Sequence, residues 1–147
     1  MADNIDFIRS LYDAWNARDF DVEAEAMAPD GRILVVGTGS AFIGPDGSRQ
    51  YSTSWAEGFP DGRVTVDNIF GDQDRVVVEL TGRGTHTGTL ETSMGAIPAT
   101  GRSMTLQLCD VVELRDGKIV EQRTYFDSAS MMAQLGVSAE QLATLQQ

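Results

Sequence analysis

From Asn4 to Asp19 the apolar residues Ile5, Ile8, Leu11, Tyr12 and Trp15 recur at helical spacing, which puts them on one face of a helix opened by Asp3 or Asn4. That face is expected to pack inward. A shorter helix is expected over Val22 to Met27, ended by Pro29-Asp30-Gly31, and a third over about Asp46 to Glu57, between Gly44-Pro45 and Gly58-Phe59-Pro60. One short apolar strand, Ile33 to Val36, stands among them. After these helices the pattern turns to β: Arg63 to Phe70, Arg75 to Thr87, Arg102 to Arg115 and Lys118 to Phe126 are rich in Val, Ile, Thr, Leu and Phe. Gly71-Asp72, a Gly-rich loop from Gly88 to Gly101, and Asp116-Gly117 separate them into an antiparallel meander. A last helix, Ser128 to Leu135, stops at Gly136, and Ser138 to Leu145 adds another. Helices first and a curved antiparallel sheet after them predict an α+β fold in which helices cover the concave sheet face.

Within Met104 to Leu114 the residues Met104, Leu106, Leu108, Val112 and Leu114 share one face, and Asp110 lies on it. A carboxylate there is costly to bury unless it is hydrogen-bonded or functional, and desolvation raises its pKa toward the range of proton transfer. The residues alone leave both readings open. What faces Asp110 on the next strand depends on the turn: a two-residue type I′ turn at Asp116-Gly117 pairs it with Arg123, whereas a type I turn with a bulge brings it near Gln122 or Thr124. On Arg75 to Thr87 the residues Val76, Val78, Leu80, Gly82, Gly84 and His86 share a parity. If that parity is inward, His86 sits at the mouth of the concavity with two glycines beneath it. Its near-neutral ordinary pKa suits proton transfer, though a lone histidine also serves as a structural side chain. Arg83 turns inward only if a bulge beside Gly82 or Gly84 switches the parity.

A chain of 147 residues buries one sizeable core, and without a linker or internal repeat a single domain spanning 1–147 is expected. Eleven Lys and Arg against 22 Asp and Glu leave a net charge of −11, which repels nucleic-acid backbones and anionic membranes. One cysteine, Cys109, forms no internal disulfide, and one histidine builds no multi-histidine metal site, so neither metal nor cofactor is expected. The N-terminus has no signal-like segment and no long apolar run occurs, so a cytoplasmic protein without membrane contact is expected. Most carboxylates, among them Asp19, Asp21, Glu23 and Glu25, are assigned to helix surfaces and turns. Only Asp110 clearly breaks a hydrophobic pattern.

Gly58-Phe59-Pro60-Asp61, Gly84-Thr85-His86-Thr87-Gly88, Ile97-Pro98-Ala99-Thr100-Gly101-Arg102, Asp116-Gly117-Lys118-Ile119-Val120-Glu121 and Tyr125-Phe126-Asp127, followed by Leu135-Gly136, resemble in order and spacing the SnoaL-like polyketide cyclase family. The resemblance implies the cone-shaped fold shared with nuclear transport factor 2, ketosteroid isomerase, scytalone dehydratase and limonene epoxide hydrolase: helices on a strongly curved antiparallel or mixed sheet around one pocket. It also implies the bulged turn, with Gln122, Thr124 and Phe126 facing the cavity beside Asp110. Relatives carry a catalytic aspartate three residues before the position matching Asp127. Here that place is Thr124, whose hydroxyl does not titrate near neutral pH. Tyr12 matches a pocket-lining position on the first helix, while Ile33 and Val35 stand where epoxide hydrolases hold their water, which argues against that reaction.

The resulting expectation is a cofactor-independent enzyme that acts by acid/base chemistry on a hydrophobic carbonyl or polyketide-like molecule, through aldol cyclisation or isomerisation. Asp110 is the expected acid/base, with His86 and Tyr12 polarising or shuttling protons. Thr124 and Gln122 orient the substrate. Walls are expected from Trp15, Trp55, Phe59, Phe126, Leu106, Leu108, Ile33 and Val35, with Arg83 at the edge. The alternative is a non-catalytic binder of a small hydrophobic ligand. A homodimer through the outer sheet face, where Thr105, Gln107, Cys109 and Val111 alternate, is the expected assembly.

Overall fold

The structure is a computed structural model that describes residues 4–93, 95–138 and 140–141. Helix α1, Asn4–Asn16, buries Ile8 and Leu11 from the predicted face. It ends where Arg18 enters the left-handed region at φ 62°, a conformation that costs a side-chain-bearing residue free energy. The Arg18 guanidinium holds that turn by donating to the carbonyls of Trp15, Pro60 and Gly62 and by lying 4.3 Å over the Trp15 ring. Helix α2, Phe20–Glu25, is capped by Asp19, whose carboxylate accepts from the Val22 N–H. Helix α3, Gly44–Gly58, starts with Pro45 in its first turn.

Strand β1, Met27–Val35, pairs with the short β2, Ser40–Ile43, and the meander comprises β3, Arg63–Gly71, and β4, Arg75–Thr85, followed by β7, Ser103–Arg115, and β8, Lys118–Phe126. The six strands lie in the order β2-β1-β8-β7-β4-β3, with β1 parallel to β8 and the other pairs antiparallel. The sheet is therefore mixed. Helix α4, Ser128–Leu135, begins on an Asp127 cap and stops at Gly136 with φ 73°, as its sequence predicts. The helix expected over Ser138 to Leu145 falls mostly outside the described residues.

Two expectations about loops are corrected. Pro29-Asp30-Gly31 does not break the chain into separate elements, because β1 runs through it with a register shift between Met27 and Arg32. The segment 88–101 is not a plain loop: β5, Leu90–Thr92, and β6, Gly95–Ile97, form a two-stranded sheet that buries Leu90 and Ile97 against Phe59, Met104 and Leu106.

The β7–β8 turn combines parts of the two alternatives. Asp116 at φ 53° and Gly117 at φ 75° make a two-residue type I′ hairpin, with Arg115 opposite Lys118. One residue later the register slips, so that Leu114 faces Ile119 but Glu113 faces Glu121, leaving Val120 as the extra residue. Asp110 consequently faces Thr124 and not Arg123. The register implied by the resemblance holds, but the bulge lies beyond the turn and the turn is not type I. Among the described residues no helix is long and apolar enough to cross a membrane.

Candidate active site

The helices and the concave sheet face enclose a cavity of about 120 Å³. One face of β7 supplies its floor through Met104, Leu106, Leu108, Asp110 and Val112, the parity read from the sequence. Leu80 and Gly82 of β4, Gln122 of β8 and Ile33 of β1 extend it. From above come Leu11, Tyr12 and Trp15 of α1, Ser48, Tyr51, Ser52 and Trp55 of α3, and Glu23 of α2. Asn16 fixes the height of α1 by bonding both Val64 N–H and Val64 C=O of β3, at 2.8 and 2.9 Å.

Asp110 is 5% exposed. Its Oδ2 accepts the Tyr12 hydroxyl at 2.5 Å, while its Oδ1 has no hydrogen-bond partner. Burial pushes the carboxyl up to about 6, against the opposing influence of the hydroxyls of Tyr12 and Thr124, which favour the ionised form. The group thus titrates close to neutral pH, with one oxygen held and the other unsatisfied. Tyr12 is raised well above its ordinary value by burial and by the Asp110 charge, so it keeps its proton and donates. Tyr51 is raised by the same two causes.

A second carboxylate shares the cavity. Glu23 accepts from Ser52 Oγ at 3.3 and 3.2 Å through its two oxygens, and burial pushes it up to about 8, with the nearby Asp19 charge adding and Ser52 opposing. The assignment of Glu23 to a helix surface is therefore corrected. In α2 Val22 is 41% exposed and Glu23 turns inward, the reverse of what apolarity suggests. A helix of six residues is too short for its period to reveal a buried face. The local clue was Asp19, whose cap fixes where the helix starts and hence which residues point in.

The remaining predicted residues divide. Trp15, Trp55, Phe59, Ile33, Leu106, Leu108 and Gln122 line the cavity with Asp110 and Tyr12. Thr124 is 1% exposed and stands directly across from Asp110 on the same sheet face without itself lining the cavity, and its Oγ1 accepts from Gln122 Nε2 at 3.2 Å. Val35 and Phe126 line a different cavity of about 640 Å³ between α3, α4 and β5. Tyr51 and Trp55 border both cavities, and Trp55 meets Phe126 edge-on at 5.7 Å. The expected one pocket is thus two chambers with an aromatic partition.

His86 lies in neither chamber. The Gly84 space beneath it is filled by Phe59, whose Cβ lies 3.0 Å from where a Gly84 Cβ would stand and whose ring stacks on His86 at 5.3 Å. The imidazole is fully buried, and its Nδ1 accepts from the Thr100 N–H at 3.3 Å, with Thr100 Oγ1 3.0 Å away. Burial holds its pKa below the ordinary value. Its main chain bonds Arg102 and Gly101, so His86 ties the 98–102 loop to the end of β4. Its expected place at the cavity mouth is corrected accordingly. Arg83 borders the cavity without the bulge that was its condition, since β4 pairs with β7 in unbroken register from Arg75 to Thr85. The slip lies in β3, between Val66 and Asn68.

A family profile described as SnoaL-like polyketide cyclase matches residues 5–135. The structure is similar to that of a candidate SnoaL-like polyketide cyclase from Jannaschia sp. CCS1, at 26% identity over 92% of both chains with a TM-score of 0.81. It is also similar to IdmH, a candidate polyketide cyclase from Streptomyces antibioticus, at 33% identity over 90% of this chain and 97% of that one, with a TM-score of 0.72. A protein of ketosteroid isomerase-like fold from Catenulispora acidiphila, in complex with trimethylamine, shares 16% identity over 90% and 94% of the two chains at a TM-score of 0.74, a likeness of fold alone. No curated protein matches the sequence. A profile match over most of the chain, IdmH at 33% identity and a mixed sheet closed by helices over a carboxylate-bearing cavity agree, and the chain belongs to the SnoaL-like polyketide cyclase family.

Proposed function

We propose that the protein is a cofactor-independent enzyme that shifts a proton within an apolar carbonyl compound, by enolisation alone or followed by intramolecular aldol closure. The observation that carries this reading is Asp110: a buried carboxylate at the floor of an apolar cavity, one oxygen held by Tyr12 and the other without a partner. In the proposed step the free oxygen takes a proton from the carbon next to the carbonyl, and the C–H electron pair becomes the C=C bond of an enolate. The negative charge collects on the former carbonyl oxygen, beneath the protonated phenol of Tyr51. Returning the proton to a different carbon gives isomerisation. Attack of the enolate carbon on a second carbonyl of the same molecule gives a ring and a hydroxyl, with no atom gained or lost.

Exchange of the α-hydrogens of 2-tetralone in deuterated buffer, followed by proton NMR, tests this. The wild type should accelerate exchange, and Asp110→Asn should remove on the order of 10²–10⁴-fold of it while keeping the fold. Exchange that survives Asp110→Asn rejects Asp110 as the base. Thr124, standing where relatives keep an acid, favours a second reading as a binder of small apolar molecules. Binding of 2-tetralone without any acceleration would support it.

A further inference from the structure

Asp110 accounts for removal of a proton from carbon but leaves open what protonates oxygen. The phenols of Tyr12 and Tyr51 are both raised, so neither gives up its proton readily, and Tyr12 already donates to Asp110. The second carboxylate, Glu23, enters the same cavity from α2, opposite the β7 floor. It receives Ser52 Oγ across both oxygens, and Ser52, 2% exposed, is fixed within α3. The charged and titratable groups around it are Asp19 at the start of its own helix, Tyr12 on α1, Tyr51 on α3 and Asp110 across the cavity. Among the described residues Glu23 takes part in no ion pair: Arg49 of α3 is engaged by Asp21 and Asp46, while Arg63 of β3 and Arg83 of β4 line the same cavity.

Resting on the proposed reaction above, we propose that Glu23 is a second catalytic residue, the acid that hands its proton to the substrate oxygen while Asp110 takes one from carbon. The carboxylates then divide the work: the C–H proton ends on Asp110, the Glu23 proton forms the new O–H bond, and the electron pair of that O–H bond comes from the oxyanion. The enzyme finishes with Asp110 protonated and Glu23 ionised. One proton moving from the former to the latter, directly or by way of water, restores the starting state without an external reagent. The environments suit these roles, because burial, with the Asp19 charge adding, pushes Glu23 up to about 8, whereas Asp110, opposed by two hydroxyls, is pushed up to about 6. The two values bracket a window in which base and acid are both in their working forms.

The test is the pH profile of 2-tetralone exchange. The wild type should be bell-shaped, rising as Asp110 ionises and falling as Glu23 does. Glu23→Gln should lose on the order of 10²-fold in exchange and lose the alkaline limb, with the acid limb intact. Ser52→Ala removes a hydrogen bond that favours the ionised form, so it should move the alkaline limb upward. A Glu23→Gln variant that retains both rate and alkaline limb overturns the proposal, whereas retained activity in Asp110→Asn overturns the underlying reaction instead. If 2-tetralone does not exchange even with the wild type, carbon-13 NMR of labelled glutamate decides the matter. A Glu23 carboxyl that titrates near 8 and shifts when 2-tetralone is added supports the proposal, and one that titrates at its ordinary value or ignores the ketone rejects it.

Discussion

Tyr12 donates to Asp110 Oδ2 at 2.5 Å, and a hydrogen bond to a charged group contributes about 1.5–3 kcal/mol. Tyr12→Phe removes a bond that favours the ionised carboxylate, so the Asp110 pKa should rise further. The acid limb of the exchange profile is expected to move up by roughly one to two pH units, read from the same NMR assay. His86 gives the opposite expectation. His86→Ala empties a fully buried site, with a stability loss of about 2–4 kcal/mol seen in thermal unfolding, but exchange at saturating 2-tetralone should stay within about twofold. Asp110 was readable because it sits in a long alternating strand, where parity reports the facing of every residue. Glu23 and His86 were not, since one lies on a helix too short to show a period and the other follows a glycine whose empty space a distant Phe59 fills.

Long elements carried their own instructions. Helix α1 and strands β4 and β7 repeat their pattern often enough that burial follows from spacing, whereas β3 slips between Val66 and Asn68 and β8 at Val120, which spacing does not show. Short ones depend on contacts from elsewhere: β2 exists because β1 offers it an edge, and β5 and β6 because Leu90 and Ile97 pair with each other over the Phe59 core. Pro29-Asp30-Gly31 misled for a related reason. Its turn chemistry is real, but β8 absorbs it as an irregularity in parallel pairing. How α1 is positioned also lies outside any periodicity, in the two bonds from Asn16 to Val64. Asn16→Ala should destabilise by about 1–3 kcal/mol in denaturant unfolding and, because α1 carries Tyr12, lower exchange as well.

For the whole molecule, the two cavity carboxylates make stability depend on pH in a direction opposite to acid denaturation. Both have folded values above their unfolded ones, so the folded state binds more protons and their contribution is fully present only below about 4. It declines as pH rises through about 6 for Asp110 and about 8 for Glu23. Glu23→Gln, which cannot ionise, should therefore raise the melting temperature at alkaline pH and change it little in acid, at about 2–4 °C per kcal/mol for a chain of this size. The convex sheet face, with Phe70 at 51% and Tyr125 at 40% exposure, is expected to join two copies, which sedimentation would detect as a dimer. The molecule also has an indexing device in Val120, the single residue by which β8 slips past β7. Because Val120 is the surplus residue, deleting it would leave Glu113 opposite Glu121 and Thr124 opposite Asp110. The hairpin can thus lose one residue at that position while every pair beneath the chamber stays in place, a change of length that a regular ladder would convert into an inverted face.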